Sequence, residues 1–194
     1  MAELKIFYRD KDKQDKIKVG RSVNILNSLD KSDIIWIDLL DVSDRTEGVL
    51  EDFLKIDIQD DEEMEEIEMS SRYIQTDDSI VANSNFLRDN FETEPVNFIL
   101  KNSILVTTRD VELASFNETV KKMLMNTRNF PTGYHVLVSL METRVEKDAD
   151  MIEDTTDLIT KLSSEINATD QVDEEVLIQI KDLQEKVTII RQNI

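Results

Sequence analysis

The side chains most able to do chemistry in this 194-residue chain are carboxylates, which number 42 against 23 Lys and Arg. Between residues 51 and 100 there are 15 acids and only 3 bases, and acids dominate the stretch from Asp57 to Glu68. Hard cations such as Mg²⁺ bind oxygen ligands and keep several waters, so one or two carboxylates on facing surfaces can make a weak site. The stretch fits cation binding, although a solvated helix face is the ordinary role of any single acid in it. It contains no Gly, which excludes an EF-hand loop.

Most other kinds of site are excluded by composition. A net charge of -19 repels nucleic acid phosphates, so the expected ligands are cations or a basic partner. Three Gly leave no material for a Gly-rich phosphate loop. His135 is the sole histidine and there is no Cys, so we predict a structural or surface role for it. We therefore expect no enzyme; the remaining enzymatic alternative, a metal-dependent enzyme that uses only carboxylates, lacks a DxD or ExxE pair at a strand end.

The elements that position these side chains begin with a β-hairpin, predicted by the alternation from Leu4 to Val19. DIIWIDLL, at Asp33 to Leu40, is nearly continuous in apolar character, as in a strand covered on both faces. Asp44 and Glu47 have capping-box spacing before a short helix. The acid run then predicts a second helix over Asp57 to Glu68.

Further strands and a helix follow. Weak alternation marks Arg72 to Gln75 and Ser79 to Leu87, and strong alternation surrounds a hairpin turn at Lys101 to Ser103. Helical periodicity from Val111 to Met125 places four residues on the buried face, namely Leu113, Phe116, Val120 and Leu124. Pro131 and Gly133 then break the chain. The fold class is therefore α+β: a mixed β-sheet covered by helices, an α/β/α domain over residues 1–130.

Residues 131–194 predict a long antiparallel helical hairpin. Its first helix, from Tyr134, carries a 3-4 seam: Val138, Met141, Val145, Asp148, Ile152, Thr155, Ile159, Leu162, Ile166. Asp148 either marks a place where this seam opens or sets its register, or it lies at an exposed flank of a hairpin that packs elsewhere, and we expect the exposed flank. A polar turn at residues 167–170 leads to a helix that is still in hydrophobic register at Ile194, so we expect the chain to be a fragment.

Several patterns occur in an order that characterises one family. They are IWIDLLDVS, a capped helix, an acidic helix closing on SSRY, the hairpin VNFILKNSILVTTRD, and Phe116 in the next helix. The segments VSLMETRVEKDADMIEDTTDLITKLSSEI and VLIQIKDLQEKVTIIRQNI follow as long helices. Together they resemble the cytoplasmic domain of the CorA family of divalent-metal ion transporters, whose paired helices precede a stalk.

The resemblance implies a pentameric, channel-like transporter of Mg²⁺, often also of Co²⁺ or Ni²⁺, with an α/β funnel domain, a stalk and two C-terminal membrane spans. The full-length protein would lie in the inner (plasma) membrane, and this chain would be its soluble, cytoplasmic portion. The stalk, the spans and the family's Gly-Met-Asn pore signature have no counterpart in the sequence. No residue here is therefore assigned to permeation, and no organic cofactor is expected.

The resemblance also implies a regulatory metal site. Family members bind metal between neighbouring cytoplasmic domains, through one carboxylate of the α/β domain and one of the stalk. The family pattern places Asp89 near the first position, although the flanking FLRDNFE matches poorly. Asp89 is thus the candidate metal ligand, and sensing of intracellular Mg²⁺ to gate the pore is the implied function. The alternative is an acidic scaffold or adaptor that uses its helical hairpin for protein-protein interaction.

Overall fold

An apolar strand lies inside a seven-stranded mixed sheet in the computed structural model, which describes residues 2–11, 13–58, 73–76, 78–169 and 174–193. This strand, β3 (Ile34–Leu40), is buried along its whole length, as its apolar sequence predicts. The other strands are β1 (Glu3–Asp10), β2 (Lys13–Gly20), β4 (Tyr73–Gln75), β5 (Ser79–Leu87), β6 (Thr93–Lys101) and β7 (Ile104–Arg109). The strand order is β2-β1-β3-β7-β6-β5-β4. Only β3 and β7 pair in parallel among the described strands, which confirms the predicted mixed sheet.

The predicted hairpin turn joins β6 to β7. Lys101 pairs with Ile104, and the two residues between them, Asn102 and Ser103, have φ angles of 50° and 68°. Two consecutive left-handed residues match the twist of the flanking strands. The turn therefore has the geometry that a two-residue antiparallel connection favours, and the prediction is confirmed.

Helices cover both faces of the sheet. Helix α1 (Asp44–Leu54) buries Leu50 and Leu54 against one face. On the other face lie α2 (Ala114–Met125) and α3 (Gly133–Thr169), packed on a cluster of aromatic rings. Phe7 stacks on Trp36 with ring centroids 4.8 Å apart, and the Phe116 ring lies 5.9 Å from that of Trp36. This arrangement confirms the α+β fold class with helices on each side of the sheet.

Two local predictions were wrong by a residue. The N-cap of α1 is Ser43, not Asp44, so both acids of the predicted capping box lie within the first turn, where they favour the helix dipole. In α2, Leu124 is 45% exposed, whereas Thr119 and Met123 are fully buried. The buried face of the helix is turned by about one position because Thr119 meets Thr143 of α3, with Oγ1 atoms 3.4 Å apart.

Helix α3 begins at a close approach to the sheet. The backbone N–H of Gly133 donates to the carbonyl of Ser103 at 2.7 Å. A Cβ at Gly133 would lie 2.3 Å from the backbone nitrogen of Leu105, so only a glycine fits there. Gly133 is thus a point of close contact between α3 and the sheet, and a domain limit at residue 130 stays a prediction.

The hairpin of α3 and α4 (Glu174–Asn193) is present and antiparallel, because Arg144 of α3 contacts Asn193 at the far end of α4. Helix α3 extends to Thr169, so the predicted turn at 167–170 began too early. The seam is only half covered: Thr155 and Leu162 are buried, but Val145 and Ile152 are 66% and 40% exposed. One helix facing another covers only part of an apolar stripe.

One further prediction falls mostly on residues outside the described ranges. The acidic helix predicted over Asp57 to Glu68 lies almost wholly outside the described residues. Within the ranges that are described, no helix combines the length and the apolar character needed to cross a bilayer.

Candidate functional site: an acidic cleft beside helix α3

A cleft of about 480 Å³ opens between the β5–β6 turn, the start of α2 and the middle of α3. Five carboxylates line it together with three bases: Asp89, Glu112, Asp148, Asp150, Asp154, Arg88, Arg144, Lys147. Phe86 and Met151 supply apolar surface at its wall. The cleft therefore brings the predicted ligand Asp89 to the same surface as acids of the long helix.

A hydrogen-bonded turn positions Asp89. The N–H of Arg88 donates to the carbonyl of Glu92 at 2.9 Å, and the N–H of Phe91 donates back to the carbonyl of Arg88 at 2.9 Å. An ion pair between the Arg88 and Glu92 side chains closes the same turn. Phe91 has a φ of 65°, and its ring lies 5.3 Å from the Lys186 ammonium of α4. Asp89 is exposed at the tip of this braced turn.

The start of α2 is held by a buried acid that the sequence analysis did not single out. Glu94, 8% exposed, accepts hydrogen bonds from the backbone N–H groups of Asp110 and Val111, both at 3.0 Å. This anchors the loop that carries Glu112 to the cleft. Asn117 donates to Glu112 at 3.1 Å, so that carboxylate already has a partner.

Arg144 organises the inner wall. Its guanidinium donates to Ser84 Oγ at 2.6 Å and to the backbone carbonyl of Asn193 at 2.7 Å, and it lies over the Phe86 ring. Its Nε atom is 3.4 Å from Asp148 Oδ2, one helical turn along α3. The guanidinium therefore ties β5, α3 and α4 together.

Asp148 is buried, which overturns the expectation of an exposed flank. Desolvation raises the pKa of its carboxyl, and the charge of Arg144 offsets part of that rise. Asp148, the charged residue in the apolar seam, is thus paired with Arg144. The i,i+4 spacing of Arg144 and Asp148 was the signal in the sequence that predicts such a pair.

Three carboxylates of the cleft are available to a cation. Asp89, Asp150 and Asp154 form no ion pair within the described part of the chain, and the last two lie one turn apart on α3. Across those same residues, no group of three or more His, Asp or Glu side chains is arranged to hold a metal directly. The donor set suits a hydrated Mg²⁺ held through its own waters, since Mg²⁺ gives up water reluctantly.

Two other predicted or polar features lie away from the cleft. His135 is exposed near the start of α3, and its Nδ1 lies 2.9 Å from Thr132 Oγ1, in keeping with a surface role. Asp38 and Arg109 form a fully buried ion pair between β3 and β7. Neither feature contributes to the cleft.

Comparison with known sequences identifies relatives. The family model described as "CorA-like Mg2+ transporter protein" matches residues 31–194. The magnesium transport protein CorA of Wolinella succinogenes is 35% identical over 171 residues, which cover 84% of this chain and 53% of that protein. The magnesium transport protein CorA of Campylobacter jejuni is 34% identical over 132 residues, covering 62% of this chain and 40% of its own length. The chain thus spans about half the length of the curated relatives it matches.

Solved structures share the fold. The full-length CmaX protein superposes with a TM-score of 0.76 at 11% identity, over 99% of this chain and 60% of that one. The CorA magnesium transporter from Methanocaldococcus jannaschii gives a TM-score of 0.61 at 14% identity, over 98% of this chain and 58% of that one. At such identities the likeness shows the fold alone. The sequence match carries the assignment, because it begins before β3 and runs past the last residue of α4: the chain belongs to the CorA-like Mg²⁺ transporter family.

Proposed function

We propose that this chain is the cytoplasmic regulatory portion of a CorA-like transporter that carries Mg²⁺, and also Co²⁺ or Ni²⁺, across the inner membrane. The support is the family match together with relatives named as magnesium transport proteins. Segments outside this chain would supply the membrane spans, and the complete protein would be a homo-pentamer. Its role is transport and not catalysis.

The acidic cleft is the observation that carries the sensing part of this proposal. Asp89, Asp150 and Asp154 line the same open space with no base paired to them in the described chain. Two carboxylates about 4 Å apart repel by roughly 1 kcal/mol in water and by several times that where they are partly desolvated. A hydrated divalent ion replaces that repulsion with attraction, and it favours whichever arrangement of subunits brings the carboxylates together.

Thermal unfolding of the chain with added Mg²⁺ tests the sensing step. At a free Mg²⁺ concentration ten times the dissociation constant, binding to the folded state stabilises by about 1.4 kcal/mol, which raises the midpoint by roughly 3 to 5 °C for a chain of this size. Asp89→Asn should reduce this shift. Asp52→Asn is the matched control, because the Asp52 side chain is 90% exposed on α1, on the opposite face of the sheet.

If Mg²⁺ raises the thermal midpoint equally in Asp89→Asn and Asp52→Asn, the stabilisation comes from general screening of the acidic chain. Asp89 is then not a ligand of the ion. Hexamminecobalt(III), whose ligands do not exchange, should reproduce the shift if the ion is held through its waters. In the complete transporter reconstituted in liposomes, Asp89→Asn should leave Mg²⁺ uptake in place and raise the Mg²⁺ concentration at which uptake is inhibited. If the unmodified complete protein takes up no Mg²⁺ into liposomes, the transport proposal is wrong, whatever the role of the cleft.

A further inference from the structure

Three basic side chains line the acidic cleft beside its five carboxylates, and the fold holds two of them firmly. Arg88 pairs with Glu92 within the β5–β6 turn. Arg144 donates hydrogen bonds to Ser84 Oγ at 2.6 Å and to the Asn193 carbonyl at 2.7 Å. The positive charges of both guanidinium groups are therefore fixed at the wall of the cleft.

Lys147, the third base, is held far more loosely. Its one ion pair among the described residues is with Glu118 of α2, where the ammonium nitrogen lies 3.7 Å from Oε2. The two side chains are 40% and 39% exposed, and so long an ion pair in contact with water contributes little to stability. Glu118 also lies 3.8 Å from the Lys122 ammonium, so its carboxylate is shared. The Lys147 ammonium is thus the movable positive charge of the cleft.

Two acids on the same side of α3 as Lys147 also line the cleft. Asp150 follows Lys147 by three residues, a spacing that makes the two side chains neighbours on the helix surface. Asp154 lies two turns beyond Lys147, about 10 Å along the helix axis. Because the Lys side chain is a flexible four-carbon stem, its ammonium can turn toward Glu118 on α2 or toward these two acids on α3.

We propose that Lys147 competes with the divalent cation for the acids of the cleft and so sets the cation concentration at which the cleft fills. This role rests on the proposed function, because the cation is the one sensed at the cleft. Without the ion, the ammonium turns toward Asp150 and Asp154 and offsets part of their mutual repulsion. An entering ion repels the ammonium, and Glu118 on α2 receives it.

Coulomb's law gives the size of the effect. One positive charge about 6 to 10 Å from a divalent ion in water weakens binding of that ion by roughly three- to tenfold. The repulsion depends on the charge of the ion and not on its ligand geometry, so Mg²⁺ and Ca²⁺ should be affected by the same factor. Loss of the Lys147 charge therefore strengthens the binding of both ions equally, whereas a change in the shape of the cleft would favour one of them.

Thermal unfolding over a series of Mg²⁺ concentrations at low ionic strength tests this role, because the dependence of the midpoint on the ion gives its dissociation constant. Lys147→Gln removes the charge and should lower the dissociation constant by about three- to tenfold. Lys147→Arg keeps the charge and should restore the value of the parent chain to within about twofold. A purely structural role of Lys147 would move the midpoint without Mg²⁺ and leave the dissociation constant as it is.

Two further variants separate Lys147 from the overall charge of the chain. Lys161→Gln is the matched control, because it removes one positive charge from an exposed position of α3 about 21 Å further along the helix axis. It should change the dissociation constant by less than about twofold, since that distance exceeds the Debye length. Glu118→Gln should weaken Mg²⁺ binding more in the parent chain than in Lys147→Gln, because only the parent chain has an ammonium for Glu118 to receive.

The outcomes distinguish failure of this role from failure of the proposed function. If Mg²⁺ does not change the midpoint of the parent chain, the sensing function of the cleft is wrong, and the role of Lys147 is wrong with it. If the parent chain binds Mg²⁺ but Lys147→Gln binds no more tightly than Lys161→Gln, only the role of Lys147 is wrong. A gain for Mg²⁺ without an equal gain for Ca²⁺ would also overturn it, and equal effects of Glu118→Gln in both backgrounds would show that Glu118 does not receive the ammonium.

Discussion

Arg109 Nη2 lies 2.8 Å from Asp38 Oδ2, and these two residues join the parallel strands β3 and β7 through a pair of charges with side chains 0% and 2% exposed. Thr107 donates to the other carboxylate oxygen at 2.9 Å, and Trp36 Nε1 donates to Thr107 Oγ1 at 2.9 Å. The guanidinium also lies 4.4 Å above the Phe116 ring. The pair therefore connects the sheet to the aromatic cluster beneath α2.

Removing one member of this pair should be far more harmful than removing both. Arg109→Met leaves a buried carboxylate without its counter-charge, so we expect a loss of about 3 to 5 kcal/mol in the free energy of unfolding. The double variant Asp38→Leu, Arg109→Met leaves no unpaired charge and should lose less than Arg109→Met alone. Urea unfolding followed by circular dichroism measures these variants and the single variant Asp38→Leu. A double variant whose loss equals the sum of the losses in Asp38→Leu and Arg109→Met would show that the charges act independently.

Substitution by Ala should have opposite effects on stability at Gly133 and at Gly48. Gly133→Ala places a Cβ 2.3 Å from the Leu105 nitrogen and 2.8 Å from the Ile104 carbonyl carbon, both backbone atoms that cannot turn aside. We expect a loss above about 3 kcal/mol, in the range of severe overpacking. Gly48 lies within α1, and a Cβ added there would meet no atom within 4 Å beyond the neighbouring backbone of its own helix, so Gly48→Ala should stabilise by roughly 0.5 to 1 kcal/mol. Equal effects on the thermal midpoint would contradict the close approach of α3 to β7.

Two carboxyl groups should give opposite pH trends. Burial raises the pKa of Asp148 above its ordinary value of 3.8, so the folded state holds that proton more tightly than the unfolded state does. Its contribution to stability is therefore full below pH 3.8 and declines as the pH rises through the folded-state pKa. The free energy advantage of the parent chain over Asp148→Asn should shrink between about pH 4 and pH 7.

Glu3 is the matched case of opposite sign. A hydrogen bond from Lys5, with help from the charges of Lys5 and Arg21, lowers the pKa of Glu3 below 4.5. Its contribution is present above pH 4.5 and is lost as the pH falls through the folded-state pKa. The advantage of the parent chain over Glu3→Gln should therefore grow from about pH 4 to pH 7. Urea unfolding measures both stability differences as a function of pH. If they change in the same direction, burial does not raise the pKa of Asp148.

Local patterns predicted the elements of this fold well, because they depend on neighbours in sequence. The unbroken apolar run of β3 and the two-residue turn at Asn102 and Ser103 each specify their own conformation. The Asp38–Arg109 pair could not be found in this way, since its members are 71 positions apart and meet only when β3 and β7 align. The periodicity of apolar residues within one strand does not show which other strand lies next to it in the sheet.

The helical hairpin and the cleft were predicted only in part. A heptad stripe shows that a face is apolar, but it does not show how much of that face the neighbouring helix covers, so the exposure of Val145 and the burial of Asp148 were both missed. The sequence indicated Asp89 as a candidate ligand. That Asp150 and Asp154 line the same cleft depends on the packing of the β5–β6 turn against α3, which the sequence pattern does not show. The ligand role of Asp89 stays a prediction.

Arg144 should control how firmly α4 is held. Arg144→Lys keeps the positive charge beside Asp148 but loses the planar fork that reaches Ser84 Oγ and the Asn193 carbonyl. We expect a loss of about 1 to 3 kcal/mol in stability from the polar groups left unpaired, and faster amide hydrogen exchange in the last turns of α4 than in β6. Arg191→Lys makes the same change at an exposed position of α4 and should stay within about 0.5 kcal/mol of the parent chain. Because the guanidinium is the group that contacts β5, α3 and α4 at once, unchanged exchange in α4 after Arg144→Lys would mean that apolar packing of Leu183 and Ile190 alone fixes the hairpin to the sheet.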